Sequence, residues 1–302
     1  MLYKEAQGLA ERTLKDYTTH VPRFFARYPN CTASQEDLQR ACFDYFAQAG
    51  KLAPATFNTR RKCLKAFFAW LVQEGKLDFN PVDKIAKRRE DNTPRAVPEA
   101  VLEKLLSLPD KKSFAGLRDY ALLVFTLDTG IRPSEAAGLL PPDFNLPAHE
   151  VTIPARVAKT RVSRTLPLMP VTVQAIRKLL AARPESWGDK TPVFCTVDGR
   201  PLSRQQWAKR MKEYTQELGY KVRPYDLRHS FAVMYLRHGG HAFGLQRTLG
   251  HTTMTMTRRY VELTKQDLKD QHAIASPLNV LLPKKERAKN PRRKPKRKKG
   301  GK

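Results

Sequence analysis

A chain of 302 residues with 41% hydrophobic composition exceeds one typical domain and falls short of three, so two domains of unequal size are expected. Lys and Arg number 56 against 29 acids, a net charge of +27, which points to a polyanionic partner. No run approaches the roughly 18 apolar residues of a membrane-spanning helix, no secretory signal opens the chain, and no terminal segment pairs a basic face with a bulky apolar one; nucleic acid is favoured over a membrane surface, in the cytoplasm.

Residues 1–84 read as helices only. Leu14, Tyr17, Val21 and Phe24 recur at helical spacing after Thr13, a candidate N-cap, and Pro22 predicts a kink or an early end. A second apolar set, Leu38, Phe43 and Phe46, precedes Gly50. A third, Phe57, Leu64, Phe67, Phe68 and Leu71, closes at Gly75. From 85 to 98 the pattern dissolves into charged residues with two prolines, a predicted linker.

Residues 99–282 read as a larger mixed domain. Helical periodicity returns at Val101, Leu102, Leu105 and Leu106, then at Tyr120, Leu123, Val124 and Leu127 before Gly130. Val151–Ile153 and Thr165–Leu168 predict two short strands around the basic segment ARVAKTRVSR, and helices resume at Val171. The fold class expected is mainly α with a small β-sheet or hairpin. Residues 283–302 hold twelve basic residues and one acid from Lys284 onward, leaving +16 for the rest of the chain; such a tail cannot build a core.

Cys31, Cys42, Cys63 and Cys195 lack the paired spacing of a zinc site or disulfide framework. His238 and His241 flank two glycines with no acidic or cysteine partner nearby, so neither a metal nor a cofactor is expected. Four segments instead hold polar groups suited to phosphate chemistry. Gly130 and Pro133 place Arg132 at a helix junction, where its guanidinium can clamp a phosphate with Glu135 orienting it; the plainer reading is a surface ion pair. Lys159 lies among Arg156, Arg161 and Arg164 on the hairpin, which can grip a DNA backbone. A lysine there can also protonate a leaving oxygen. The remaining segments are Tyr225-Asp226-Leu227-Arg228-His229 and Leu249-Gly250-His251, with Tyr260 nine residues on.

In these blocks the chain resembles the tyrosine recombinase, or phage integrase, family over nearly its full length. TLKDYTTHVPRFF, TFNTRRKCLKAFFAWL and Asn80-Pro81 look like that family's core-binding domain, and TGIRPSE, AKTRVSRTLPL, YDLRHSFA and LGHTTMTMTRRY like its catalytic blocks. The resemblance implies that Tyr260 is the nucleophile, Arg132 and Arg228 the catalytic arginines, Glu135 the acidic neighbour, Lys159 the hairpin lysine and His251 the later histidine. It implies an N-terminal helical core-binding domain and a C-terminal mixed catalytic domain forming a C-shaped clamp around DNA. It further implies cleavage and rejoining through a 3′-phosphotyrosyl link and a Holliday junction, within a homotetramer on specific double-stranded target sites. A helix in LTKQDLKDQHAIASPLNVLL, starting near Thr264 and Asp267, is expected to reach a neighbouring protomer, and no arm-binding domain is expected.

The sequence departs from the family at Tyr225, where histidine is usual. A phenol, with an ordinary pKa of about 10, can support a phosphate but is a poor general base near neutrality. His229 follows Arg228 directly; on a helix it turns about 100° away and reads as structural. Integration or excision of a mobile element, with a possible directionality factor, is the first functional reading and resolution of chromosome or plasmid dimers the second. A type IB topoisomerase, a DNA-binding relative without catalysis and a structural RNA-binding protein are the alternatives.

Overall fold

The computed structural model describes residues 2–91, 94–261, 269 and 272–281. The chain divides into two compact units, Met1–Asn92 and Thr93–Lys302. The basic tail and the expected helix start at Thr264 and Asp267 lie outside the described residues.

The first unit contains helices α1 (Leu2–Ala6), α2 (Glu11–Arg27), α3 (Gln35–Gln48) and α4 (Pro54–Gln73). Its core is aromatic: Phe24 meets Tyr45 and Phe68 edge-on, with ring centroids 5.4 and 5.9 Å apart, an arrangement that suits the ring quadrupoles. Three expectations change here. Helix α2 starts at Glu11 with Ala10 as N-cap, so Thr13 lies inside it. It also continues through Pro22, because Phe24 and Phe25 beyond the proline are packed against Phe67 and Phe68 of α4. On α3 the buried face is Leu38, Ala41, Cys42, Tyr45 and Phe46; Phe43 is 41% exposed.

The predicted linker, 85–98, contains the boundary between the two units, and each of its ends is tied to the unit it belongs to. The Asn58 side chain donates to the Arg88 carbonyl and accepts from the Arg88 N–H, both at 2.9 Å, and the Arg88 guanidinium stacks 3.9 Å above Phe57. At its far end Val97 is buried in the second unit, its N–H donating to Ser230 Oγ at 2.8 Å. Local pairing of this kind leaves no mark on charge or proline content.

In the second unit, α5 (Glu99–Ser107) and α6 (Phe114–Thr129) lead to the single-turn α7 (Pro133–Ala136). An antiparallel sheet follows in the order β1 (Phe144–Asn145), β2 (Glu150–Ile153), β3 (Arg164–Pro167), with Val151 opposite Leu166 and Ile153 opposite Arg164. At two residues β1 is too short for periodicity to reveal. Then come α8 (Pro170–Ala181), α9 (Arg204–Leu218), α10 (Pro224–Arg237), α11 (Ala242–Leu249) and α12 (Met254–Arg258), with a last turn at Leu278–Leu281. Helix α6 is the spine: nearly all-round burial fits its packing against α8 and α10. No helix among the described residues is long and apolar enough to cross a membrane.

Two glycine caps aim chain segments into one place. Gly130 ends α6 at φ 62° and Gly250 ends α11 at φ 62°, the left-handed conformation that glycine adopts without penalty, and the end of each helix leaves its last carbonyls without intrahelical donors. At Gly130 an added Cβ would collide with Phe231 and come within 2.7 Å of Leu249. Gly130→Ala is expected to destabilise the second unit by about 2–4 kcal/mol from combined backbone strain and overpacking, read as a lower urea midpoint at unchanged slope.

Candidate active site

The last turn of α11 offers its carbonyls to three arginines. Arg164 Nε donates to Thr248 O at 3.1 Å, Arg228 Nη2 to Leu249 O at 2.9 Å, and Arg132 Nη1 and Nη2 to Leu249 O and Gly250 O at 3.2 and 3.4 Å. From the other side Arg228 Nη1 donates to Gly130 O, the cap of α6, at 2.6 Å. Arg132 is 7% exposed and Arg228 fully buried, and Arg228 Nε has no hydrogen-bond partner among the described residues. Burial first, and the charge of Arg132 second, lower the Arg228 pKa to about 10, which leaves it a cation at neutral pH.

Glu135 is the only carboxylate that pairs with these arginines among the described residues. Its Oε1 accepts from Arg132 Nη1 at 3.0 Å and from the Lys159 N–H at 3.1 Å, and its Oε2 from Arg164 Nη2 at 2.7 Å. Burial works to raise its pKa, but Arg164, the Lys159 amide and Arg132 outweigh it and hold the carboxyl below its ordinary range. Glu135 thereby ties the loop after β2 to the arginine cluster and fixes the backbone of Lys159, whose side chain remains exposed.

His251 sits against the same guanidinium, its Nε2 3.1 Å from Arg228 Nη2 and its Nδ1 2.8 Å from Thr257 Oγ1. A guanidinium only donates, so Nε2 accepts and the ring proton lies on Nδ1, toward Thr257. Burial, then Arg228 and Arg132, push the His251 pKa down to about 3, so the ring is neutral. Tyr260 follows α12, is 8% exposed and stacks parallel to His251 at 6.4 Å. Its Oη shares a 2.8 Å hydrogen bond with His229 Nδ1. Burial chiefly raises the Tyr260 pKa, while Arg228 and Arg259 pull it down.

The structure thus gathers Arg132, Glu135, Arg164, Arg228, His251 and Tyr260 with the backbone of Lys159. It does not gather the rest. Arg164, read from sequence as a DNA grip, is half-buried and braced between Glu135 and Thr248. Arg156 is paired with Asp143 at 2.6 Å, and Arg161 lies on the same loop with φ 55°. Tyr225 is 44% exposed; its ring packs edge-on to His229 with centroids 5.0 Å apart, and its phenol lies within electrostatic reach of Arg228 and Tyr260.

Two further residues adjoin the cluster: His229, read from the sequence as structural, and Thr257, which the sequence reading did not single out. The 100° turn from Arg228 does send His229 away from the arginines, but α12 lies on that side and brings Tyr260 to it. Thr257, which fixes the His251 tautomer, was marked only by its place in the short segment between His251 and Tyr260. Beside the cluster a groove of about 770 Å³ runs between β3 and α11, lined among others by Thr160, Arg164, Gln246, Arg247 and His251.

Residues 95–267 match the model of the phage integrase family. The chain is 30% identical over 287 residues to the tyrosine recombinase XerD of Xanthomonas axonopodis pv. citri, covering 90% of this chain and 93% of the relative. Among solved structures it resembles the XerH site-specific recombinase bound to palindromic difH substrate, at a TM-score of 0.72 and 21% identity over 90% of this chain and 82% of that one. It also resembles the Tn1549 transposon integrase with a circular intermediate DNA, at 0.64 and 20% over 79% and 84%. At those identities the two structures speak for the fold.

Two outcomes follow from the cluster. Glu135→Ala strips two buried guanidinium groups of their carboxylate, and breaking a buried pair from one side costs about 3–5 kcal/mol; the melting temperature of the second unit should fall accordingly. For His251 the folded value, about 3, lies below the ordinary 6.5. The stability it contributes is complete above pH 6.5 and is lost as pH falls toward 3. Urea midpoints between pH 7 and 4 should show that decline, and His251→Asn should make it shallower.

Proposed function

The chain belongs to the phage integrase family of tyrosine recombinases, enzymes that break and rejoin DNA, and on that footing we propose that Tyr260 is the nucleophile that attacks the scissile phosphodiester. The observation that carries the assignment is a buried Tyr260 stacked parallel to His251, the imidazole that accepts from Arg228, with the charges of Arg228 and Arg132 both acting on its phenol. As Oη bonds to phosphorus, the bond to the 5′ oxygen breaks and negative charge spreads over the nonbridging oxygens. Arg132 and Arg228 exchange carbonyl partners for those oxygens. A preorganised donor of this kind is worth about 10²–10³ in rate, roughly 3–4 kcal/mol. The exposed Lys159 ammonium, on a backbone anchored by Glu135, protonates the departing 5′ oxygen. His251, neutral and held by Thr257, orients Arg228.

The phosphotyrosyl ester conserves the energy of the broken bond, so a 5′ hydroxyl from another duplex reverses the step without a nucleotide or metal. On this reading strand exchange passes through a Holliday junction in a homotetramer on double-stranded DNA target sites. The +16 outside the tail favours phosphate contacts whose strength falls steeply with salt. Integration or excision of a mobile element is the role proposed. A full-length match to XerD favours resolution of chromosome dimers as the second reading.

One experiment addresses both chemistry and role: wild-type and Tyr260→Phe protein are incubated with fragments of the source genome in EDTA, quenched in detergent, and the covalently held DNA is sequenced. Wild type should yield adducts at a defined sequence and Tyr260→Phe none, with equal DNA binding. Adducts of undiminished yield from the variant would reject Tyr260. Sites at the ends of a mobile element speak for integration, and a single chromosomal site for dimer resolution.

A further inference from the structure

With tyrosine at position 225, the nucleophile lacks a base where the family usually has one, and the geometry around Tyr260 offers another. Tyr225 is 44% exposed, and although its phenol lies within electrostatic reach of Arg228 and Tyr260, its ring packs against His229 rather than on the Tyr260 hydroxyl. His251 presents its one lone pair to Arg228 and lies parallel to Tyr260 with ring centroids 6.4 Å apart. His229 is different: its Nδ1 lies 2.8 Å from Tyr260 Oη, the separation at which a proton is handed over.

We propose that His229 is the general base of this enzyme, accepting the Tyr260 proton on Nδ1 as Oη attacks phosphorus. The inference rests on Tyr260 being the nucleophile. The step balances: the O–H bond of Tyr260 breaks and Nδ1 gains its proton, the P–Oη bond forms, and the P–O5′ bond breaks with its electron pair going to the 5′ oxygen, which takes a proton from Lys159. In rejoining, the imidazolium returns the proton to the departing phenol and the 5′ hydroxyl gives its own to Lys159. Both groups finish as they began.

The surroundings keep His229 ready. Burial first, then Arg259 and Arg228, lower its pKa below 6.5, against the opposing pull of Asp226 on its own helix. The ring is therefore neutral at physiological pH, and the phenol, raised by burial, still carries the proton it must lose. Tyr225, one helical turn before His229, packs edge-on to the imidazole at 5.0 Å and so steadies the base that stands in for the usual residue at its own position.

The test uses the full chain and the duplex recovered in the wild-type adduct, in single-turnover cleavage across pH. His229→Gln retains a hydrogen-bonding side chain of similar size but cannot take a proton. Its cleavage rate should fall by about 10²-fold or more, with DNA binding and melting temperature near wild type. Because the folded His229 pKa lies below 6.5, the wild-type rate should decline only below that pH, and the decline should vanish in His229→Gln. Placing a more acidic fluorotyrosine at position 260 should shrink the deficit, since a phenol that ionises more readily depends less on a base. Cleavage by His229→Gln within about threefold of wild type would overturn the proposal. So would an equal deficit at every pH with either tyrosine, which is the signature of positioning alone. A wild-type adduct mapped to a residue other than Tyr260 would instead sink the nucleophile assignment, and this inference with it.

Discussion

Three arginines are held inside the second unit by the carbonyl ends of two helices and a single shared carboxylate, and the rest of the site depends on that imbalance. Burying unpaired charge costs several kcal/mol per ion, so a protein ordinarily matches each guanidinium with an acid. Here Arg132 and Arg164 share Glu135, and Arg228, with no carboxylate partner among the described residues, is met by the carbonyl ends of α6 and α11. Helix C-termini carry about half a negative charge each. They stabilise the cations without cancelling them, and a neutral His251 adds no charge of its own. The cluster stays positive in a dry place, where charge developing on a phosphate is felt most strongly.

The surrounding fold can be understood as what brings two helix ends to one point. Helix α6 is buried on nearly all sides, which fixes where Gly130 ends it. Helix α10 packs on α6 and carries Arg228 toward that end. The short sheet delivers Arg164 at the start of β3 and, through the loop before it, the Lys159 amide. Glu135 on α7 gathers both. At Gly250 an added Cβ would press to 3.1 Å from the Arg164 guanidinium, so this cap is glycine for reasons of space as well as backbone angle.

Much of this was legible in the sequence because the chemistry sits at punctuation marks. Gly130 and Pro133 bracket Arg132 and Gly250 precedes His251, so residues of the kind that end and open helices indicate where those two side chains lie. What depends on a neighbouring element was not legible. A helical wheel gives the angle of His229 but not that α12 waits there. A basic run gives no sign that Arg164 turns inward while Arg156 turns to Asp143. Phe43 has the apolar character of a core residue, yet Cys42 and Tyr45 take its place because the partner helices lie on their side. Pro22 breaks an isolated helix, and only contacts made beyond it carry α2 through.

The bond between Tyr260 and His229 joins two residues of one chain, within the same unit as all three arginines. The groups gathered in the site therefore all come from one chain and one unit, so a distortion of that unit reaches every one of them at once.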